Sequence, residues 1–188
     1  MNDWENFRTF KERGEWVELQ FMAAAASHGY HVLKPWGDSL EYDVAVEHSG
    51  DMIRVQVKSS SVRNGTGYFC QFRRNWLVKE PYSVDELDLF ATYIIPEKIW
   101  YLIPATVLLT PPRKVGITVC PMTALRKNRY RYEQYREAWG LLGKTRRDLT
   151  KCGKAHAAYI GSLTKATWND KARRHRERSN IVLKGRGL

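Results

Sequence analysis

The chain has 188 residues, of which 43% are hydrophobic and 12% aromatic. This length and composition predict one compact domain with an appendage, and they exclude an intrinsically disordered protein. The longest apolar run, Ile99 to Thr110, is too short to cross a bilayer. We therefore predict no transmembrane helix and no membrane partner. No basic segment leads into an apolar stretch at the N-terminus, so we predict no secretory signal and expect a cytoplasmic location.

The net charge of +11 is concentrated in the C-terminal third. Met1 to Leu125 contains 13 Lys+Arg and 15 Asp+Glu, a balance of −2, whereas Arg126 to Leu188 contains 18 and 5, a balance of +13. We therefore predict a core over residues 1–125 and a basic helical extension over residues 126–188. Such a segment attracts polyanions, which favours a nucleic-acid-binding arm over a solubilising tail. The candidate contact residues in the extension are Lys171, Arg173, Arg174, Arg176 and Arg178.

A helix is predicted from Gly14 to Gly29, because four consecutive alanines lie in it, proline is absent and Gly29 is placed to end it. Val17 and Phe21 fall on one apolar arc of this helix, and Glu18 lies inside the same arc. Alternating and apolar runs then predict strands. In chain order these are Tyr30–Lys34, Glu41–Glu47, Met52–Ser59, Tyr68–Phe72, Leu89–Ile95, Ile99–Ile103 and Val115–Val119.

The second and third of these strands are separated by a short turn and predict a β-hairpin. Ser83 is placed to cap a helical turn. Aromatic spacing predicts a helix from Tyr130 to Leu142, and beyond Gly143 we expect either a basic helical arm or a segment that stays mobile without its partner.

Within the hairpin, Gln56 and Lys58 point to one side of their strand, and Asp43 on the neighbouring strand can lie close to them. Carboxylate and amide oxygens suit a divalent cation, and a lysine suits a phosphate or an attacking water. Glu18 completes this set if its helix packs on the sheet. Taken by itself, the spacing favours the solvated face of an ordinary strand.

Four ordered motifs carry a family resemblance: Gly14-x-x-x-Glu18, Gly29-Tyr30, Tyr42-Asp43-Val44 and Val55-Gln56-Val57-Lys58. They resemble the PD-(D/E)XK nuclease superfamily, and within it the branch of archaeal Holliday junction resolvases and a group I intron-encoded homing endonuclease. The similarity continues through Asp85-x-x-Asp88-x-Phe90 and Trp100–Pro104. It implies an α/β, restriction-endonuclease-like αβββαβ core, cleavage of duplex or branched DNA with Mg²⁺ or Mn²⁺, and a homodimer or higher homo-oligomer.

By this resemblance, Glu18 is the family's helix glutamate, Asp43 its metal-binding aspartate and Lys58 its catalytic lysine. Gln56 stands at the second acidic position, where an amide oxygen can bind a metal but adds no negative charge. The implied catalytic set is Glu18, Asp43, Gln56 and Lys58, of which all but the lysine are implied metal ligands. Glu15 is the rival for the helix acid, and Tyr42 replaces the proline of the family motif.

Three arginines near the hairpin, Arg63, Arg73 and Arg74, are candidate phosphate contacts or ordinary solvated residues. Asp85 and Asp88 are expected to be structural. Trp139 and Trp168 could stack on bases of a single-stranded substrate. The alternatives are core packing for Trp139 and docking of the tail for Trp168. Two other functions stay open: a nucleic-acid-binding protein on a nuclease fold that no longer cuts, and an RNA-directed nuclease.

Overall fold

The computed structural model describes residues 6–37, 39–65, 67–73, 82–109, 116–121 and 131–162. The regular elements follow in chain order: α1 (Phe10–Ser27), β1 (His31–Leu33), β2 (Val44–His48), β3 (Asp51–Ser60), β4 (Arg63–Asn64), β5 (Gly67–Gln71), β6 (Leu89–Ile94), β7 (Ile99–Pro104), α2 (Ala105–Leu109) and β8 (Gly116–Val119). Residues 146–162 form a further helix, α3. All seven predicted strands are present, with ends that differ by a few residues.

The strands form two sheets. The larger sheet has the order β1-β2-β3-β6-β7, and the smaller one has the order β4-β5-β8. The predicted hairpin is confirmed, since β2 and β3 pair antiparallel with Val44 opposite Val55. On its other side, β3 pairs parallel with β6, from Val55 opposite Leu89 to Ser60 opposite Ile94. The strand that carries Gln56 and Lys58 is therefore the central strand of the larger sheet.

Each face of the larger sheet contributes to its own hydrophobic cluster. On one face, Val17 and Phe21 of α1 pack over Val55 and Val57 of β3. On the other face, Phe90 of β6 packs with side chains of the smaller sheet and α2. Because side chains alternate across a strand, Arg54, Gln56 and Lys58 point away from α1. The two-sided packing holds β3 in one register, since a shift by one residue would exchange its faces.

Helix α1 begins four residues earlier than predicted. Thr9 accepts a hydrogen bond from the Glu12 backbone N–H at 3.1 Å, and the Glu12 carboxylate accepts one from the Arg8 N–H at 2.9 Å. This capping arrangement satisfies N–H groups that the first turn otherwise leaves without partners. The predicted end is confirmed, since Gly29 adopts a φ of +83° directly after the helix.

The predicted helix from Tyr130 to Leu142 is wrong over its described part, residues 131–142. Only two 3₁₀ turns form there, Glu133–Tyr135 and Trp139–Leu141. Glu137 between them has a left-handed φ of +47°, which an α-helix does not tolerate. Its backbone N–H donates to the Trp100 carbonyl at 2.8 Å, and its carboxylate accepts from the Trp100 N–H at 2.6 Å. Tertiary bonds to β7 thus replace helical ones.

The predicted turn at Ser83 is confirmed, because the Ser83 hydroxyl accepts a hydrogen bond from the Asp85 N–H at 3.2 Å. The chain divides into two compact units between Lys154 and Ala155. Trp139 and Leu149 are buried in the hydrophobic cluster beneath α1, within the first unit. The predicted boundary after residue 125 stays a prediction. Among the described residues, no helix combines the length and apolar character needed to cross a membrane.

Candidate active site

Asp43 lies immediately before β2, opposite Gln56 of β3. Its backbone N–H donates to the Val55 carbonyl at 3.0 Å. Its carboxylate Oδ2 accepts two hydrogen bonds, one from the Val57 backbone N–H at 2.7 Å and one from the Gln56 side-chain amide. The Asp43 carboxylate thus accepts the hydrogen bond from the Val57 N–H that a backbone carbonyl of a neighbouring strand would otherwise accept. These bonds fix the acid against the central strand, and Gln56 itself is only 6% exposed.

Lys58 extends from the same face of β3 as Gln56. Its ammonium nitrogen Nζ is 5.6 Å from the centre of the Tyr82 ring, a distance typical of a cation–π contact. The ammonium lies in the electrostatic field of two carboxylates, those of Asp43 and Glu18. The structure therefore brings Asp43, Gln56 and Lys58 together, as the sequence predicted.

Glu18 of α1 shares an open cleft with Asp43, whereas Gln56 and Lys58 are not among the described residues that line it. The cleft has a volume of about 370 Å³, and Glu18, Asp43 and Tyr42 are among the residues that line it. Glu18 also has a partner that the sequence did not indicate, because Lys34 Nζ lies 2.7 Å from its Oε2. Lys34 directly follows β1. In the sequence, a lysine at the end of a short strand cannot be distinguished from an ordinary solvated surface lysine.

Burial dominates the electrostatics of the site. It raises the pKa of Asp43 above the ordinary value, and the charge of Glu18 acts in the same direction. The Lys58 charge and the hydrogen bonds from Val57 and Gln56 oppose this shift. Burial also lowers the pKa of Lys58, against the attraction of Asp43 and Glu18. Both shifts favour the neutral form, so the cost of removing the charges from water exceeds their mutual attraction.

The Lys34–Glu18 ion pair shows the opposite balance. The hydrogen bond to Glu18 raises the pKa of Lys34 above its ordinary value, and the charges of Glu18, Asp43 and Glu15 act in the same direction. Burial opposes this shift without reversing it. The Lys34 side chain is 50% exposed, so its charge is far less costly to keep than that of Lys58. Lys34 is thus a stable cation at the mouth of the cleft.

The chemistry of these side chains fits a hard divalent cation. Asp43 supplies a carboxylate, Gln56 an amide group and Glu18 a second carboxylate across the cleft, and oxygen ligands of this kind suit Mg²⁺ and Mn²⁺. Within the described ranges, no group of three or more His, Cys, Asp or Glu side chains could hold a metal ion. A metal at this position would therefore depend on the amide oxygen of Gln56 as well as on carboxylates.

Several other predicted residues have defined positions. Glu15 lines the same cleft, and its carboxylate pairs with Lys11 at a long distance of 3.9 Å. Arg63 is exposed in β4, and Arg73 follows β5 and is partly buried. Neither arginine is among the described residues that line the cleft. Trp139 is 6% exposed and stacks on His28 with ring centres 4.6 Å apart, which assigns it to packing.

Other predictions fall outside the described residues. These are Arg74, Trp168, Lys171, Arg173, Arg174, Arg176 and Arg178. The structural assignment of Asp88 is supported, since its buried carboxylate binds the Arg54 guanidinium. The thiols of Cys70, Cys120 and Cys152 are free.

Comparisons with known proteins agree with this geometry. The chain matches the family described as PD-(D/E)XK endonuclease over residues 9–142. It is also similar to a solved structure entitled "The structure of a bacterial homing endonuclease: I-Ssp6803I", with 30% sequence identity and a TM-score of 0.64, over 72% of this chain and 93% of that chain. No curated protein sequence matches the chain.

The structural similarity confirms the predicted α/β nuclease fold. The family match covers well over half of the 188 residues and includes Glu18, Asp43, Gln56 and Lys58. The chain therefore belongs to the PD-(D/E)XK endonuclease family.

Proposed function

We propose that this endonuclease hydrolyses phosphodiester bonds of DNA in a Mg²⁺-dependent reaction, as a homing-type enzyme. The observation that carries the proposal is the contact of Asp43 with Gln56 at one end of the central hairpin, where Lys58 lies in the field of Asp43 and Glu18. Glu18 and Asp43 line one cleft. The similarity to a bacterial homing endonuclease supports the homing type over junction resolution.

Each residue has a role that follows from its position. Asp43 and the Gln56 side-chain oxygen would hold the cation, and Glu18 would add negative charge on the opposite wall. A bound Mg²⁺ supplies positive charge that offsets the charge developing on the phosphate. Lys58 places an ammonium beside the scissile phosphate, where it can orient the attacking water or stabilise the transition state. Gln56 must turn its amide oxygen toward the cation, since its nitrogen now faces Asp43.

Further parts of the proposal concern partners and location. Duplex DNA is the expected substrate, with branched DNA as the second choice, and Mn²⁺ should substitute for Mg²⁺. The basic C-terminal segment would contact the DNA backbone, because a net positive charge favours phosphate binding irrespective of sequence. A homodimer or higher homo-oligomer and a cytoplasmic location complete the proposal.

The test is cleavage of supercoiled plasmid, linear duplex and four-way-junction DNA, together with a library of candidate sites, in Mg²⁺, Mn²⁺ or EDTA. Asp43→Ala and Lys58→Ala should abolish metal-dependent cutting but retain DNA binding. Asp51→Ala is the matched control, since Asp51 lies on the same strand at the far end from the site. Cutting by all variants equally would show that the activity resides elsewhere.

The replacement of the family's second acid by Gln56 favours one other function, a DNA- or RNA-binding protein that no longer cuts. It would bind nucleic acid with an affinity that falls as salt rises, and none of the library sites would be cut. The active enzyme is favoured because Asp43 and Glu18 line one cleft and the Lys58 ammonium lies in the field of both carboxylates.

A further inference from the structure

The ion pair between Lys34 and Glu18 is the closest charge contact in the cleft. The Lys34 ammonium and Glu18 Oε2 are 2.7 Å apart, and Glu18 is only 21% exposed. The second pair in the cleft, between Lys11 and Glu15, is 3.9 Å long, and its side chains are 79% and 58% exposed. Glu18 is thus held by a charged donor, whereas Glu15 is essentially solvated.

The charges around the cleft balance before any metal binds. Two carboxylates, those of Glu18 and Asp43, interact with two ammonium groups, those of Lys34 and Lys58. The exposed Lys11–Glu15 pair adds no net charge. A divalent cation that used Glu18 Oε2 as a ligand would have to displace Lys34. A cation at Asp43 and Gln56 would displace only a neutral amide from its hydrogen bond, although the Lys58 charge also acts on Asp43.

We infer that Lys34 is a positioning residue that holds Glu18 in an ion pair and thereby limits the site to a single divalent cation, bound at Asp43 and Gln56. This inference rests on the metal site of the proposed function. Glu18 then acts through its charge and not as a direct ligand. Removal of Lys34 would free a second carboxylate and leave the cleft with a net charge of −1, which favours both a second cation and tighter binding of the first.

The test titrates the metal-free full-length protein with Mn²⁺ alone, with free Mn²⁺ followed by electron paramagnetic resonance and binding heat by calorimetry. The unaltered protein should bind one Mn²⁺ per chain in the cleft. Lys34→Met should bind two, the first about tenfold more tightly, because one nearby positive charge is gone. Lys34→Gln, a second neutral variant, should behave as Lys34→Met does.

Lys11→Met is the matched control, because it removes one positive charge from the same cleft without freeing Glu18. It should bind a single Mn²⁺, as the unaltered protein does, with a smaller gain in affinity than Lys34→Met, because Lys11 is 79% exposed and solvent screens its charge. Two Mn²⁺ ions in the unaltered cleft, or equal binding by the Lys11 and Lys34 variants, would overturn the inference. Asp43→Ala separates the two proposals. If it abolishes Mn²⁺ binding while Lys34→Met changes nothing, only the role of Lys34 fails. If it leaves Mn²⁺ binding intact, the proposed metal site itself is wrong, and the inference falls with it.

Discussion

Asp88 joins three elements, and its replacement should cost more stability than that of any surface acid. Its side chain is 6% exposed. The carboxylate accepts hydrogen bonds from the Arg54 backbone N–H at 2.9 Å and from the Arg54 guanidinium at 3.0 and 3.1 Å. Arg146 of α3 donates a further hydrogen bond to it at 2.8 Å. Arg54 is 16% exposed, whereas Arg146 is 53% exposed.

The exposure of each arginine determines how much unfolding free energy the loss of Asp88 should cost. Loss of the partner of a buried charge costs about 3–5 kcal/mol, because the remaining charge is left without compensation. Loss of a half-exposed partner costs less than about 1 kcal/mol. We therefore expect Asp88→Ala to lower the free energy of unfolding by about 4 kcal/mol at pH 7, measured by urea denaturation. Asp85→Ala is the control, because Arg54 binds the backbone carbonyl of Asp85, which alanine retains.

Asp88 also predicts a pH dependence. Although burial acts to raise the pKa of Asp88, the hydrogen bonds from Arg54 and Arg146 outweigh it and hold the pKa below its ordinary value. The carboxylate therefore stabilises the fold above the unfolded pKa of about 3.9, and this contribution is lost as the pH falls through the folded pKa. The stability difference from Asp88→Ala should shrink in acid. A difference below about 1 kcal/mol at pH 7, or one that grows in acid, would refute this account.

Three further substitutions test other parts of the structure. Thr92→Val should raise the free energy of unfolding by about 1 kcal/mol, because the buried Thr92 hydroxyl has no hydrogen-bond partner among the described residues; an unchanged or lower urea midpoint would contradict this. Trp139→Ala should lower the free energy of unfolding by about 3–5 kcal/mol, because Trp139 is buried in the cluster beneath α1, and a loss below about 1 kcal/mol would contradict that role. Gln56→Glu should lower the free energy of unfolding in EDTA, because it sets a second carboxylate beside Asp43. The same variant should bind Mn²⁺ more tightly, as measured by calorimetry. An unchanged Mn²⁺ affinity would argue against Gln56 as a ligand.

The part of the site that could be predicted is the part formed by local strand pairing. A hairpin places Asp43 opposite Gln56, and the two-residue period of a strand places Lys58 beside Gln56. These rules need no knowledge of the rest of the fold. Glu18 lies inside the apolar arc of its helix, which predicts that its side chain faces the protein. The Gly14-x-x-x-Glu18 spacing of the family resemblance then favours Glu18 over Glu15.

Lys34 could not be predicted in the same way. Its contact joins residues 16 positions apart on different elements, and it depends on how α1 lies against the edge of the sheet. The helix expected from Tyr130 to Leu142 failed for a related reason. Helical spacing is a local preference, and the bonds from Glu137 to Trp100 connect that segment to β7 at a distance of 37 residues. Tertiary contacts decided both cases.

The site draws on the central strand β3 and on the segment after the edge strand β1, so its two parts should differ in the free energy needed to open them locally. Gln56 and Lys58 lie on the central strand, where β6 pairs with β3 as far as Ser60 while the pairing with β2 ends at Val55, so their amides should exchange more slowly than those of the edge strand. Lys34 follows β1, a three-residue strand at the sheet edge with a single neighbour. Fraying of this edge would release Glu18 while the catalytic strand stays intact. Hydrogen exchange should therefore show two distinct opening free energies within one active site.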